Sequence, residues 1–501
     1  MKEIAPLDKQ LEALKEQPIY PFHMPGHKRR GMEEYLRAVG LGDAEEFRSG
    51  FDRILEMDIT EVDPFDDLNH PTGELKDAMT RCASFYGAQE SFFLVNGSTS
   101  GICAAIDAVC CPGDEILMAR NSHISVYRQV LHGRLTPFYL YPQELTVGDA
   151  AFYGAITASQ LERELIKHPN VKAVLVVSPT YDGILSDISA LAEVAHTYHK
   201  ILIVDEAHGA HLNYIRPDLS AVRAGADLVI QSVHKTLPAM TQTALLHRCS
   251  DRVDAQRLHD SVAYFTSTSP SYVLVASLLR CLKFMERHGE AAMCAFYARL
   301  EAFYNRCEDL TAVKLFGPFW GNVSRRELFL NGWCKDPSKI VILCPKRGYE
   351  VAQFLRNAQI ETEAASQDMV LALASLFDSE EGFDRLYKAL AAIPEAGAVS
   401  TAVDAVEVAD SARAEQVMPP FEAYHRRGDG VKNEGCEAVD LKKAVGRISA
   451  DTVYVYPPGI PQIVSGERIS QGVIDRLMNM QEAGATLRGM TTEDRITVLK
   501  I

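Results

Sequence analysis

ILIVDEAHGAH (residues 201–211) and DLVIQSVHK (residues 227–235) decide the fold of this chain. In the first, Ile201 to Val204 form an aliphatic run too short for a helix, and it delivers Asp205 to its end. In the second, Leu228–Ile230 lead into Ser232, Val233, His234 and Lys235. Runs this continuous in Val, Ile and Leu suit strands buried on both faces of a parallel sheet. Working outward, Ser91–Val95, Glu115–Met118 and Val171–Val177 repeat the pattern, alternating with helical stretches between about residues 75 and 250. The expected class is α/β with a mostly parallel sheet. In such sheets ligands bind in the crevice beyond the strands' carboxyl ends, and the polar residues of both quoted stretches gather there.

The rest of the 501 residues narrows the function. Fifty-one Lys and Arg stand against 67 Asp and Glu, a formal charge of −16. Such a surface repels phosphate backbones, so nucleic acid is not an expected partner, whereas a cationic substrate is attracted. Hydrophobic and charged fractions of 47% and 24% are ordinary for globular proteins and exclude disorder or collagen-like structure for most of the chain. MKEIAPLDKQ (1–10) is too polar for a signal-peptide core. The apolar stretch 273–279 stops at Arg280, well short of the ~18 residues a membrane helix needs. Eleven cysteines without a CxxC pair fit a reducing compartment. The expectation is a soluble cytoplasmic protein with no membrane partner.

Three short motifs carry chemistry. Lys235 follows a buried strand, where partial burial lowers an amine's pKa and frees it as a nucleophile toward an aldehyde; a solvated loop lysine is the plain alternative. Asp205 at a strand end needs a cationic partner to offset its burial. A protonated pyridine nitrogen is such a partner, as in pyridoxal 5′-phosphate (PLP) sites. DEAH as a helicase box would require a GxxxxGK[ST] loop, and His208 with His211 as zinc ligands would require HExxH or a Cys/His set; neither is present, so no metal site is expected. FFLVNGSTSG (92–101) reads as strand, turn and helix start. There the amides and the hydroxyls of Ser98, Thr99 and Ser100 form either an anion site or an ordinary cap.

The order of phosphate cradle, buried Asp and Lys thirty positions later is that of fold-type I PLP enzymes. Together with PFHMPGHK (21–28), DITEVDPFDDLNHPTGELKDA (58–78), RNSHISVY (120–127), SPTYDG (178–183), QSVHKTLPAMTQ (231–242), TSTSPSY (266–272) and GRISADTVYVYPPGIP (446–461), it resembles the Orn/Lys/Arg decarboxylases, most closely their shorter bacterial members, over nearly the whole chain. The resemblance implies a PLP-dependent transferase-like large domain of the aspartate aminotransferase superfamily, with smaller α/β and C-terminal domains. Residues 1–50 would be an arm and loop, 51–300 the large domain, 301–395 the small α/β domain, 396–435 a linker and 436–501 the C-terminal decarboxylase domain.

It also implies roles. Lys235 would tether PLP covalently, Asp205 would pair with the pyridine nitrogen, His123 would stack on the ring and Ala207 would pack on the opposite face. Ser98, Thr99, Ser100, Ser232 and His234 would hold the phosphate, and Thr180 the phenolic oxygen. His208 would support the cofactor or move a proton. Thr268 would reach the phosphate of a neighbouring copy in a homodimer or larger homo-oligomer. Tyr456 and Glu467 are candidates for the substrate, Glu467 for its distal cation. The implied reaction is decarboxylation of arginine, then lysine or ornithine in order of preference, to agmatine, cadaverine or putrescine. Transamination and a non-catalytic PLP-binding homologue are the competing readings. His23, His27 and His70 have structural and catalytic readings open. The carboxylates of DITEVDPFDD either brace their loop or line the substrate's entrance, bracing being preferred.

Overall fold

The protein is described from a computed structural model covering residues 7–13, 32–39, 52–62, 65–317, 320, 323–395, 397, 399–409, 413–428, 435–482, 484–492 and 495–500. PFHMPGHK, with His23 and His27, lies outside the described residues. The centre is a seven-stranded sheet of β1 (Glu90–Leu94), β2 (Glu115–Ala119), β3 (Thr136–Leu140), β4 (Ala173–Val177), β5 (Ile201–Asp205), β6 (Leu228–Ser232) and β7 (Ala244–Arg248). Its order is β1-β7-β6-β5-β4-β2-β3, and only β7 runs against the others.

Side chains alternate between the two faces of this sheet. Leu117, Val174, Val176, Leu202, Val204 and Val229 enter one apolar core; Ile116, Met118, Leu175, Ile203, Leu228 and Ile230 enter the other. A period of two with both faces apolar is why these strands read as unbroken aliphatic runs. Two strands escaped that reading. β3 contains Pro137, which cannot donate to a ladder, and it is tolerated because β3 is an edge strand. β7 contains His247, buried but satisfied by Ser91 Oγ at 2.7 Å and Gln231 Oε1 at 3.3 Å.

Helix α1 (Gly97–Val109) follows β1, α2 (Ile124–His132) follows β2, and the single turn α3 (Val233–Thr236) follows β6. A single long helix, α4 (Tyr272–Cys307), runs for 36 residues. Gly289 lets it pack closely: a Cβ there would lie 2.6 Å from Tyr214 Cδ1. A four-stranded antiparallel sheet follows, containing Lys339–Leu343 and Met369–Leu373. It is stitched to the large unit by Trp333–Lys335 pairing with Ile184–Ser186. The stretch 396–435, expected as a linker, contains the strand Val403–Val406, which covers the edge of the hairpin formed by Glu144–Val147 and Ala150–Tyr153. The last unit packs helix Gln471–Glu482 on short strands around Leu441, Val453, Ile474, Leu477 and Ile496. No described helix is long and apolar enough to cross a membrane.

In the segment 58–78, Asp66 and Asp67 brace their own loop. Asp66 accepts the amides of Thr72, Gly73 and Leu75, each at 2.9 Å, at the start of helix Glu74–Tyr86. Tyr272 donates its hydroxyl to the Asp66 carbonyl. Asp67 accepts from the Asn69 amide and contacts His70, which is exposed. Asp66→Ala leaves three amides without their acceptor, and is expected to cost about 1–2 kcal/mol, read from the urea unfolding midpoint.

Candidate active site

The parallel strands β2, β4, β5 and β6 and their neighbour β1 all end on one side of the sheet, and Ser98, Thr99, His123, Asp205, Ala207, Ser232 and Lys235 lie at or just past those ends. Asp205 closes β5 and is 3% exposed; its Oδ1 accepts the Ala207 amide at 3.1 Å. Burial raises its pKa, against the pull of the Lys235 charge and that amide. Lys235 projects from α3, one strand over, and opens to the crevice. Desolvation lowers its pKa, while Asp205 and Glu363 oppose the shift. The two expected partners therefore lie close enough to feel each other's charge.

His123 is fixed from two sides. Its Nδ1 accepts the Ser125 amide at 3.2 Å and meets Ser125 Oγ at 2.8 Å, capping α2. Gly459, in YPPG of the C-terminal unit, lies on the ring: a Cβ there would be 2.9 Å from both Cδ2 and Nε2, at φ +90°. The Gly459 carbonyl accepts the Ile124 amide at 2.8 Å. Burial lowers the His123 pKa to about 4, so the ring is neutral. Gly459→Ala would force both the left-handed backbone and the ring; the expected cost is about 1–3 kcal/mol, read as a lower melting temperature and weaker PLP affinity.

Ser98 and Thr99 lie in the first turn of α1, where main-chain amides have no helical partner. Ser232 Oγ is buried with no hydrogen-bond partner among the described residues. Ser100 corrects its expectation: it is buried and donates its hydroxyl to the Gly97 carbonyl at 2.9 Å, a brace inside the helix. His234 gives its Nδ1–H to the Thr243 carbonyl at 2.9 Å, so it must gain a second proton before Nε2 can grip a phosphate. Thr180 Oγ1 accepts the Ile184 amide at 3.0 Å and keeps its own hydrogen to donate. Thr268 is exposed, in a loop tied to Asn96 by the Ser267 amide at 3.2 Å.

Glu467 is the second correction. It is 2% exposed; its Oε2 accepts from Arg120 at 3.2 Å and from the Val464 amide at 2.8 Å. Arg120 also bonds the Pro461 carbonyl at 2.8 Å and Tyr127 at 3.1 Å. Glu467 thus neutralises a buried guanidinium that pins the YPPGIP segment to the large unit, and is not presented to a substrate's distal cation. Tyr456 stays 54% exposed at the mouth.

Sequence reading missed the floor of the site. Lys335, Asp336 and Lys339, from WCKDPSKIVILC, are all at most 1% exposed. Lys339 Nζ lies 2.8 Å from His208 Nδ1, and Lys235 Nζ 3.2 Å from His208 Nε2. Charged residues interrupting a run destined for burial were the available signal. Glu206, the other carboxylate of DEAH, is structural: it holds the Ala221 amide, Gln231 and Ser220.

A buried carboxylate at a strand end, an orphaned serine hydroxyl and an open helix start, spaced around a lysine, are what a phosphorylated pyridine aldehyde requires, and PLP fits the residues present. The arrangement is that of a PLP-dependent enzyme built on an α/β fold with a mostly parallel sheet. Comparison with known proteins makes the assignment specific. The family model for the Orn/Lys/Arg decarboxylase major domain matches residues 5–381, and that for the C-terminal domain matches residues 404–495. The chain belongs to the Orn/Lys/Arg decarboxylase family, and is a PLP-dependent decarboxylase of basic amino acids. It is 30% identical to an arginine decarboxylase of Bacillus subtilis (strain 168), covering 94% of this chain and 92% of that one. It is 31% identical to an arginine decarboxylase of Bacillus anthracis, covering 96% and 93%. The Francisella novicida lysine decarboxylase LdcF superposes with a TM-score of 0.80 at 20% identity, over 99% of this chain and 81% of that one.

Proposed function

We propose that the substrate is arginine and the products agmatine and CO2, with Lys235 as the PLP tether and Asp205 beneath the ring nitrogen. The observation that carries this reading is the placement of Asp205 and Lys235 at adjacent parallel strand ends, electrostatically coupled and facing one crevice. When bound, PLP supplies a protonated ring that accepts the electron pair released as the Cα–carboxylate bond breaks. Asp205 would keep that ring nitrogen protonated; its own pKa is raised by burial, against the pull of Lys235. His123, locked by Ser125 and Gly459, would stack on the ring of the bound cofactor and fix its orientation. His208 holds a ring nitrogen toward Lys235 and, with that amine, is placed to return a proton to Cα.

For the distal cation, the site offers Glu363 where Glu467 was expected. Glu363 is exposed at the mouth, accepts the Tyr181 hydroxyl at 2.8 Å, and its charge reaches both Lys235 and Lys339. Tyr456 acts on the same Tyr181. A carboxylate braced by a phenol suits a guanidinium fork, and the relatives named arginine decarboxylase support the same choice. A homodimer, with Thr268 of one copy facing the other's phosphate, belongs to this reading; a sedimentation mass of one chain would contradict it. The substrate test is to supply arginine, lysine and ornithine separately with PLP and measure CO2, amine and keto acid. Agmatine with equal CO2 is expected. Keto acid without CO2 would establish transamination, and no product from any of the three would establish a non-catalytic role.

A further inference from the structure

The buried floor does more than fill space. Lys335 is satisfied by two carbonyls, those of Asp336 at 2.7 Å and Lys339 at 2.6 Å. Asp336 is held by the Ser338 amide and hydroxyl at 2.9 Å and faces His211 at 3.0 Å. Lys339 alone turns its amine to the site, onto His208. The SPTYDG turn clamps it there: a Cβ on Gly183, at φ +91°, would lie 2.7 Å from Lys339 Cγ and 3.0 Å from Lys335 Nζ. Tyr181 sets its ring edge-on to His208, centroids 5.5 Å apart. The imidazole therefore bridges two amines with no freedom to turn away.

That bridge has a consequence in proton counting. Burial, then the Lys339 and Lys235 charges, push His208 well below its ordinary pKa, so the ring is neutral. A neutral imidazole has one N–H and one lone pair, and an ammonium can only donate. Only one of the two lysines can therefore be charged and hydrogen-bonded to this ring; the other must be an uncharged amine that accepts the ring N–H. The shorter contact, 2.8 Å against 3.2 Å, is to Lys339. Lys339 is also the one beside Asp336, which stays ionised: burial pushes that carboxyl up, but His211 and the two buried lysines hold it below the usual range.

We propose that Lys339 is a positioning residue: its ammonium donates to His208 Nδ1, fixes the ring proton on Nε2, and so holds Lys235 as the free amine that condenses with the PLP aldehyde. The inference rests on Lys235 being the tether. In that condensation the Nζ lone pair bonds the aldehyde carbon, and the carbonyl oxygen leaves as water with the two amine hydrogens; no oxidant or reductant is needed. The groups facing the pair are Asp205 and His123 from the strand ends, Asp182 from the turn, Lys335 and Asp336 with His211 below, and Glu363 at the mouth.

The test is nitrogen NMR of the full chain carrying ring-labelled histidine, stripped of PLP and reloaded, with His208 assigned by its loss in His208→Gln. The wild type is expected to show the Nε2–H tautomer at neutral pH in both states. Lys339→Met is expected to mix the tautomers and to slow PLP capture, followed by stopped flow, by about tenfold, the effect of one unit of upward shift in the Lys235 pKa; its capture rate should climb only at higher pH than in wild type. Lys339→Arg, which retains a charged donor, should keep the wild-type tautomer. An Nδ1–H ring or an imidazolium in wild type overturns the proposal, as does a Lys339→Met variant with unchanged tautomer and unchanged capture. If Lys339→Met fails to fold, the wild-type and Lys339→Arg spectra decide. Absence of PLP capture at Lys235 in wild type would refute the tether itself, while the tautomer still judges the Lys339–His208 pair.

Discussion

Lys235→Ala is expected to lower amine production by more than about a thousandfold, because on the proposed reading it removes both the covalent tether and, beside His208, one of the two groups that would return a proton to Cα. The same variant should lose the visible absorbance of lysine-bound PLP while keeping wild-type secondary structure. Lys235 opens to the crevice and supports no core packing, so its removal is a chemical change more than a structural one. Added methylamine should restore part of the activity by supplying the missing amine from solution. A variant retaining more than a tenth of wild-type turnover would place the tether elsewhere.

Asp205→Asn carries the second large effect. The amide still accepts the Ala207 N–H, so local geometry survives, but the negative charge proposed to face the ring nitrogen is gone. Turnover is expected to fall about 10²- to 10³-fold, the range for removing one preorganised electrostatic contact, while Lys235 still captures PLP. Stability should move the other way. Burial disfavours the ionised Asp205, so the stripped Asn variant, relieved of that charge, should melt above stripped wild type. Paired assays of turnover and melting temperature check both signs. Near-normal turnover would mean that Asp205 does not face the ring nitrogen.

The sheet was legible because its chemistry is local and repetitive. Five aliphatic runs mark strands buried on both faces, and all five lie within two residues of the observed bounds. Pro137 hid β3 and the polar end of β7 hid that strand, since edge position and a satisfied buried histidine are properties of the assembled sheet. At the site, Asp205 and Lys235 were singled out from their positions at strand ends, whereas His123, Ala207 and Ser232 came only from the family resemblance. What failed depended on partners far away in sequence. Glu467 reads as a free acid until Arg120, 347 positions earlier, is seen against it. Ser100 reads as a phosphate donor until its hydroxyl is seen turned to Gly97. Lys339 lies 131 positions from His208, in a segment whose apolar pattern gave no hint of a crevice above it.

The most direct measurement of the whole account is borohydride reduction of the PLP-loaded protein followed by proteolysis and mass spectrometry. The expected result is a single phosphopyridoxyl group on the peptide containing Lys235, absent when Asp205 is intact but Lys235 is replaced by alanine. A phosphopyridoxyl group on Lys339, Lys335 or any other lysine, or none at all, would contradict the assignment of Lys235 as the cofactor's anchor.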